Sequence, residues 1–142
     1  MEGKKDKNPP FNKATIEQYA MKFLESGIGQ DGKGLVVVRA GEHGVLTLTS
    51  SGPEWLPPYY AEPSPKVVDP TGAGNAFLGA FSLKLQETGD PREASIYGSV
   101  AASFALEQFG PPLLTSEPTD PEETWNGVSA AARLDEYRKR VS

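Results

Sequence analysis

Between a short β-branched pair, Val67-Val68, and an apolar helix pattern that starts at Asn75 lies the segment Asp69-Pro70-Thr71-Gly72-Ala73-Gly74. This junction constrains the chain more than any other feature. Two glycines within three residues let the backbone turn sharply and let N–H groups crowd round one point. A helix that begins directly afterwards adds its own free N–H groups and a partial positive charge. A bound phosphate needs that arrangement. A Gly-rich strand-to-helix turn with no ligand needs the same residues, and the segment alone leaves both readings open.

Two other glycine patterns fail on context. Gly27-Ile28-Gly29-Gln30-Asp31-Gly32 fits G-x-G-x-x-G, but it follows a helix and leads into a strand, the reverse of a dinucleotide-binding turn. Gly27 through Gly32-Lys33 fits G-x-x-x-x-G-K, but Gly34 stands where Ser or Thr would hold a magnesium ion, and no strand precedes it. Both read as flexible turns.

Around the central junction the pattern is α/β. A polar, Lys-rich lead over residues 1–13 is expected to be disordered. Ile16, Tyr19, Ala20, Phe23 and Leu24 make one apolar stripe, which predicts a helix from Thr15 to Ser26, with a capping box from Thr15 and a stop at Gly27. Leu35–Val38 is apolar on both faces, as in a central strand of a covered sheet. A tight turn, Gly41–Gly44, leads to an alternating neighbour strand, Val45–Thr49. The five prolines of residues 50–65 leave little room for a ladder, and Lys66–Val68 reads as a short strand. Helices are predicted from Asn75 to Thr88, from Pro91 (with Asp90 as N-cap) to about Phe109, and from Ser129 to Val141 with Ala132, Leu134 and Tyr137 inside. Residues 111–125 read as an acidic, Pro-rich loop.

Composition excludes several classes of function. The 142 residues suit one domain, residues 14–142. With no Cys there is no thiol nucleophile, and with one His there is no histidine cluster for a metal. A net charge of -5 argues against a nucleic-acid backbone binder. No apolar run approaches the ~18 residues that cross a bilayer, and the first ten residues lack the apolar centre of a secretory signal. The expectation is a cytoplasmic protein with no membrane or nucleic-acid partner.

Val67–Phe81, VVDPTGAGNAFLGAF, closely resembles the C-terminal signature of the ribokinase/pfkB family of carbohydrate kinases, written D-T-x-G-A-G-D-x-F. The resemblance extends to Val36–Gly44, similar to the family's strand and Gly-x-x-Gly turn near the nucleotide. It also takes in the small-residue helix with Ser99, Ala102 and Ser103, similar to the helix lining the adenine pocket. It covers about residues 15–141. The wording is most similar to fungal pfkB-like proteins of the killer-virus maintenance group, which carry Gly-Asn in the signature and a C-terminal Trp-Asn-Gly like Trp125-Asn126-Gly127.

The resemblance implies a ribokinase-like three-layer α/β/α sandwich, of which this chain supplies the C-terminal portion. It implies ATP as cofactor, with magnesium in an active enzyme, and transfer of the γ-phosphate to a sugar or nucleoside hydroxyl. It assigns the nucleotide to Arg39, Gly41, Gly44, Asp69, Thr71, Gly72, Ala73, Gly74, Ala102 and Ser103, and a monovalent cation to the neighbourhood of Asp69 and Thr71. Asp69 also reads as simple support for the turn. His43 reads as a turn residue, and Trp55, Tyr59 and Tyr60 as packing against the sheet edge rather than as base-stacking groups.

Two departures stand out. Family members are expected to be about twice this long, so the chain reads as a fragment, a truncated gene model or a shortened paralogue lacking the acceptor-binding half. Asn75 stands where the family has its catalytic Asp. Three functions follow as expectations: a kinase module active only when completed, a non-catalytic nucleotide-binding scaffold or regulator, or a remnant that binds nothing. An exposed sheet is expected to favour self-association or a protein partner.

Overall fold

The computed structural model describes residues 10–142. Most of the expected disordered lead lies outside these residues; of its last part, Asn12 caps the first helix and Lys13 opens it. Helix α1 runs Lys13–Glu25. The Asn12 side chain accepts the Thr15 N–H at 2.9 Å, so Asn12 and not Thr15 is the cap. The expected capping box from Thr15 does not form, because Thr15 already lies inside the helix that Asn12 caps; Glu17, two residues on, accepts the Trp55 indole N–H at 2.5 Å.

Three strands follow: β1 Val36–Arg39, β2 Val45–Thr49 and β3 Gly52–Leu56. They form an antiparallel sheet in the order β1-β2-β3. The register pairs Val38 with Leu46 and Leu46 with Trp55, and on the other parity Arg39 with Val45 and Val45 with Leu56. Period-two alternation therefore sorts the side chains onto two faces. Val36, Val38, Leu46, Leu48 and Trp55 pack with Ile16, Ala20 and Leu24 of α1. Val37 and Val45 pack the opposite way, against Phe77, Phe81 and Ala94. This makes the three-layer α/β/α sandwich expected from the signature.

Three strand expectations need correction. β3 forms in the Pro-rich connection because it lies at the sheet's end, where the missing N–H of Pro53 costs no ladder bond. Lys66–Val68 is not a strand: the N–H groups of Val68 and Asp69 both reach the Leu106 carbonyl, at 2.8 and 3.2 Å. β1 is covered on both faces as expected but pairs along one edge only, so among the described residues it is a terminal strand rather than a central one.

Helix α2 runs Ala73–Thr88 and α3 Pro91–Leu106. Gly89 ends α2 in the left-handed conformation, and Asp90 caps α3 by accepting the Arg92 N–H at 2.9 Å. α3 ends three residues before the expected Phe109, where the Gln108 side chain takes the Phe104 carbonyl at 2.9 Å. The two helices meet closely at Gly98, whose missing Cβ leaves room for the Phe77 ring; a methyl there would lie 2.7 Å from ring carbon Cε2.

The acidic loop ends in a two-stranded ribbon, β4 Thr124–Trp125 and β5 Val128–Ser129, turned by Asn126 at φ 52° and Gly127. Ser129 then caps α4, Ala130–Val141, by accepting the Ala132 N–H at 3.1 Å. Tyr137 is fully buried with Leu56, Ile96, Val100 and Phe104. The expected inward Ala132 is exposed, and the neighbouring Arg133 is the buried side chain. Its guanidinium donates to Glu107 at 2.5 Å and to Ser103 Oγ at 3.1 Å, and it lies 3.8 Å from the Phe104 ring centroid. Among the described residues no helix is long and apolar enough to cross a membrane.

Two glycine substitutions should move stability in opposite directions. Gly98→Ala is expected to lower the melting temperature, since overpacking a filled contact costs about 1–3 kcal/mol. Gly79→Ala, in α2 with open space around it, should raise stability by about 0.5–1 kcal/mol. Paired thermal melts test both.

A pH dependence follows from Glu107. Burial pushes its carboxyl up, but hydrogen bonds from Tyr60, Asn126 and Arg133 outweigh this and hold it below the usual glutamate range. Its contribution to stability is therefore full above the unfolded value of about 4.3 and is lost as pH falls through the lower folded value. Glu107→Gln should be less stable at pH 7, with a shallower decline below about pH 4.3 in denaturant titrations across pH.

Candidate functional site

A cleft of about 330 Å³ opens where the β1–β2 turn, the α2 N-terminus, one side of α3 and the connection after β3 converge. The turn contributes Arg39, Gly41 and Gly44; α2 contributes Ala73, Gly74 and Phe77; α3 contributes Ser99, Ala102 and Leu106; the connection contributes Tyr59, Tyr60 and Glu62.

The loop before α2 is shaped by its own residues. Asp69 accepts the Thr71 N–H at 3.0 Å, closing an Asx turn. Hydrogen bonds from the Thr71 backbone and hydroxyl hold the Asp69 carboxyl below its ordinary range. Gly72 is the N-cap of α2 in the left-handed conformation, φ 84°, with space around its missing Cβ. Glycine is demanded there by backbone angle rather than by room.

The three N–H groups expected to face open space do not all do so: Ala73 turns inward and donates to the Pro70 carbonyl at 3.2 Å. The N–H groups of Gly72, Gly74 and Asn75 have no acceptor among the described residues. They are orphan donors of a helix start, in a chain segment that is exposed at Gly72 and Asn75.

Arg39 completes this end. Its place on β1 shares a face with Val37 and Val45, which points it at α2. A Cβ on Gly74 would lie 2.2 Å from the Arg39 Nη1 atom, so the guanidinium sits directly on the glycine. Arg39 has no ion pair or hydrogen bond among the described residues. An uncommitted cation beside three open N–H groups attracts an anion.

The far wall is aromatic. Tyr59 and Tyr60 stand edge to face at 4.9 Å between ring centroids. Their hydroxyls are turned away, to Glu136 and Glu107 at 2.6 Å each. Burial and then the Glu136 hydrogen bond push the Tyr59 phenol up to about 12, and burial and Glu107 raise Tyr60 as well. Both stay neutral near pH 7. Tyr59 packs with Leu56 of the terminal strand β3, as sheet-edge packing predicts, and with Tyr60 it also lines the cleft; Trp55 lies on β3 itself and packs into the cluster on the α1 side.

The structure thus brings together Arg39, Gly41, Gly44, Ala73, Gly74 and Ala102, with Asp69, Thr71, Gly72 and Asn75 on the adjoining loop and helix start. Ser103 is a correction: it is fully buried, bonded to the Val100 carbonyl at 2.6 Å and to Arg133, away from the cleft. Ser99, one turn earlier, is the serine that lines it. Its buried hydroxyl lies near Tyr137 but makes no hydrogen bond of normal geometry among the described residues. His43 is a turn residue, with Nε2 at 3.3 Å from the Phe11 carbonyl oxygen. Among the described residues no group of three carboxylate or histidine side chains forms a metal cage. Asp69 is the carboxylate nearest the loop in sequence and already serves Thr71.

The model of the pfkB family of carbohydrate kinases matches residues 5–118. The chain belongs to this family. An uncharacterized protein of Schizosaccharomyces pombe is 34% identical over 139 residues, covering 89% of this chain and 38% of its own length. Protein MAK32 of Saccharomyces cerevisiae is 34% identical over 113 residues, 75% of this chain and 30% of its own. Among solved structures, ribokinase from Thermotoga maritima superimposes with a TM-score of 0.58 at 28% identity, covering 87% of this chain and 34% of that one. The chain spans about a third of the relatives it matches, so the expected factor of two in length was too small.

Arg39→Gln should weaken binding of inorganic tripolyphosphate about tenfold or more, the scale of one charge-assisted contact. Gly74→Ala should do much the same by displacing the guanidinium, with little change in melting temperature because the atom it meets ends a flexible side chain. Calorimetric titration of the two variants checks this.

Proposed function

We propose that this chain is the nucleotide-binding portion of a pfkB-type kinase, that it binds ATP, and that it does not transfer phosphate by itself. The observation that carries this reading is the uncommitted Arg39 guanidinium on Gly74, beside the open N–H groups of Gly72, Gly74 and Asn75 at the mouth of a cleft walled by two neutral tyrosines. Phosphate oxygens suit the first end and a flat base suits the second. Magnesium, where present, would ride on the nucleotide's phosphates and water, as that ion usually does. A monovalent cation would find its acceptors on the Asp69–Thr71 turn, and adds no further step.

In the whole family protein the γ-phosphate would pass to a hydroxyl of a carbohydrate, the acceptor class in the family's description. That step needs a base to take the hydroxyl proton. Asn75 occupies the signature's aspartate position and is exposed on the first turn of α2. An amide nitrogen is not basic near pH 7, and loss of a general base costs about 10²–10⁴ in rate. Phosphoryl transfer depends on positioning both partners, so a nucleotide site without a held acceptor does little. Asn75 also favours a second reading, in which the protein is a nucleotide-dependent scaffold or regulator rather than a kinase.

The test is a thermal-shift series with ATP beside an ATP-consumption assay. ATP should raise the melting temperature in a dose-dependent manner, with no sugar-dependent turnover. Absence of binding at millimolar ATP would favour the remnant reading. Asn75→Asp should place a carboxylate at the third helical position, raising stability by about 0.3–1 kcal/mol through the helix dipole. It should weaken ATP binding without magnesium and create no turnover in this chain alone. Sugar-dependent turnover by the variant would overturn the reading.

A further inference from the structure

Tyr59 and Tyr60 lie in an irregular connection that is part of no helix or strand. What fixes them comes almost wholly from behind. The Tyr59 hydroxyl donates to Glu136 of α4, and Arg140 of α4 donates to the Tyr59 carbonyl. The Arg133 and Arg140 guanidinium carbons lie 5.4 and 4.7 Å from the Tyr59 ring centroid. The Tyr137 ring lies tilted at 5.5 Å from that of Tyr59, and its hydroxyl donates to the Pro57 carbonyl at 2.5 Å. The Tyr60 hydroxyl donates to Glu107 Oε1, the same oxygen that accepts from Arg133. Asn126 of the ribbon turn adds a third bond to Glu107, at 3.1 Å.

We infer that the Glu107–Arg133 pair, with Glu136 and Arg140 of α4, forms a set of positioning residues that fix the aromatic wall of the cleft and so set its affinity for the flat, non-phosphate end of a ligand. The inference rests on the nucleotide reading of the same cleft. It separates the cleft into two independently built ends. The anion end is made by β1 and α2. The wall is made by a loop pinned to α4 and to the C-terminus of α3. Glu107 and Arg133 are mostly buried and do not line the cleft, so any effect they have on binding passes through Tyr60 and Tyr59.

Packing alone does not require this arrangement. A leucine at position 133 would fill the apolar space over Phe104 without the desolvation cost of a buried ion pair. What the pair adds is direction: Glu107 has its oxygens taken by Arg133, Asn126 and Tyr60, which leaves Tyr60 one hydroxyl position. Two rings fixed near a right angle offer a flat ligand a preformed corner, and a preformed surface binds with less ordering cost.

The experiment compares ATP with inorganic tripolyphosphate, which has no base, on the whole chain. Tyr60→Phe removes only the hydroxyl that reaches Glu107, and Glu107→Gln removes its charge. Both should weaken ATP by about fivefold to tenfold, the scale of one lost contact, and leave tripolyphosphate within about twofold. Arg39→Gln should weaken both ligands. As a ligand-free readout, Tyr60 in Glu107→Gln should be nitrated faster by tetranitromethane at pH 8, mapped by mass spectrometry. Folded Tyr60→Phe and Glu107→Gln proteins with unchanged ATP affinity would overturn the inference. So would unaltered protein that binds ATP no more tightly than tripolyphosphate. Failure of the unaltered chain to bind either ligand would overturn the nucleotide reading and this inference with it, even if the nitration rate rose as expected. Arg133→Met, which keeps the apolar stem over Phe104 and removes the donor to Ser103 and Glu107, should behave as Glu107→Gln where it folds.

Discussion

The arrangement depends on the alternation of one four-residue strand. β1 sends Val36 and Val38 to α1, and Val37 and Arg39 to the opposite layer. Apolar burial on both faces fixes the register, because a slip of one residue would exchange every side chain between layers. Arg39 is carried along by that constraint. It sits over Gly74 because Val37 and Val45 are buried against Phe77 and Phe81; its guanidinium lies 5.9 Å from the Phe77 ring centroid, and among the described residues no ion pair or hydrogen bond of its own holds it there. A packing requirement thus delivers a free cation to the start of α2. The cationic end of β1 and the Gly-rich start of α2 are brought together by the hydrophobic contacts beside them.

The same logic explains what the amino-acid pattern revealed and what it hid. The three layers and four α-helices were legible because apolar periodicity, Asp90-Pro91 and Gly89 are strong local signals. The Gly72–Gly74 loop and Arg39 were legible from the signature and the strand before the turn. β3 was not, because prolines argue against a ladder unless the strand's place at an edge is already known. Lys66–Val68 has the residues of a strand, yet its N–H groups are satisfied by a helix end, a contact across 38 positions that no local pattern contains. The assignment of Ser103 failed by one helical turn: Ser99 and Ser103 lie on neighbouring turns of α3, and the rotation that turns Ser99 to the cleft puts Ser103 under α4.

Arg133 is the clearest case of information absent from local sequence. In an amphipathic helix with Leu134 and Tyr137 inside, a charged residue reads as solvent-facing, and Ala132 as the inward neighbour. The structure reverses them, because Glu107 and the Phe104 ring lie where the guanidinium can reach both. A buried ion pair is a weak source of net stability, since desolvation offsets much of the attraction. Its hydrogen bonds are nonetheless directional, and they join α3, α4 and the tyrosine connection at one point. Trp125-Asn126-Gly127 belongs to that point: the positive φ of Asn126 lets its amide reach the Phe104 carbonyl at 3.0 Å, Glu107 and Gln108 at once.

The two ends of the cleft tolerate change differently, and this bears on Asn75. The end beside Arg39 is built largely from backbone N–H groups, which any residue but proline at position 75 supplies. Replacing an aspartate there removes proton-transfer chemistry while leaving the donors in place, and removes a negative charge from beside them. On the proposed reading, loss of a base and retention of anion binding are thus physically uncoupled at this one residue. The wall has no such insulation: it depends on side chains of α3, α4 and the ribbon turn acting together, so a change in any of Tyr60, Glu107, Arg133 or Asn126 is felt by the others. On the proposed reading, a sequence can lose the signature's aspartate in one step and keep the open N–H groups that would hold a phosphate. It keeps a shaped slot for the rest of the ligand only while four side chains far apart in the chain continue to agree.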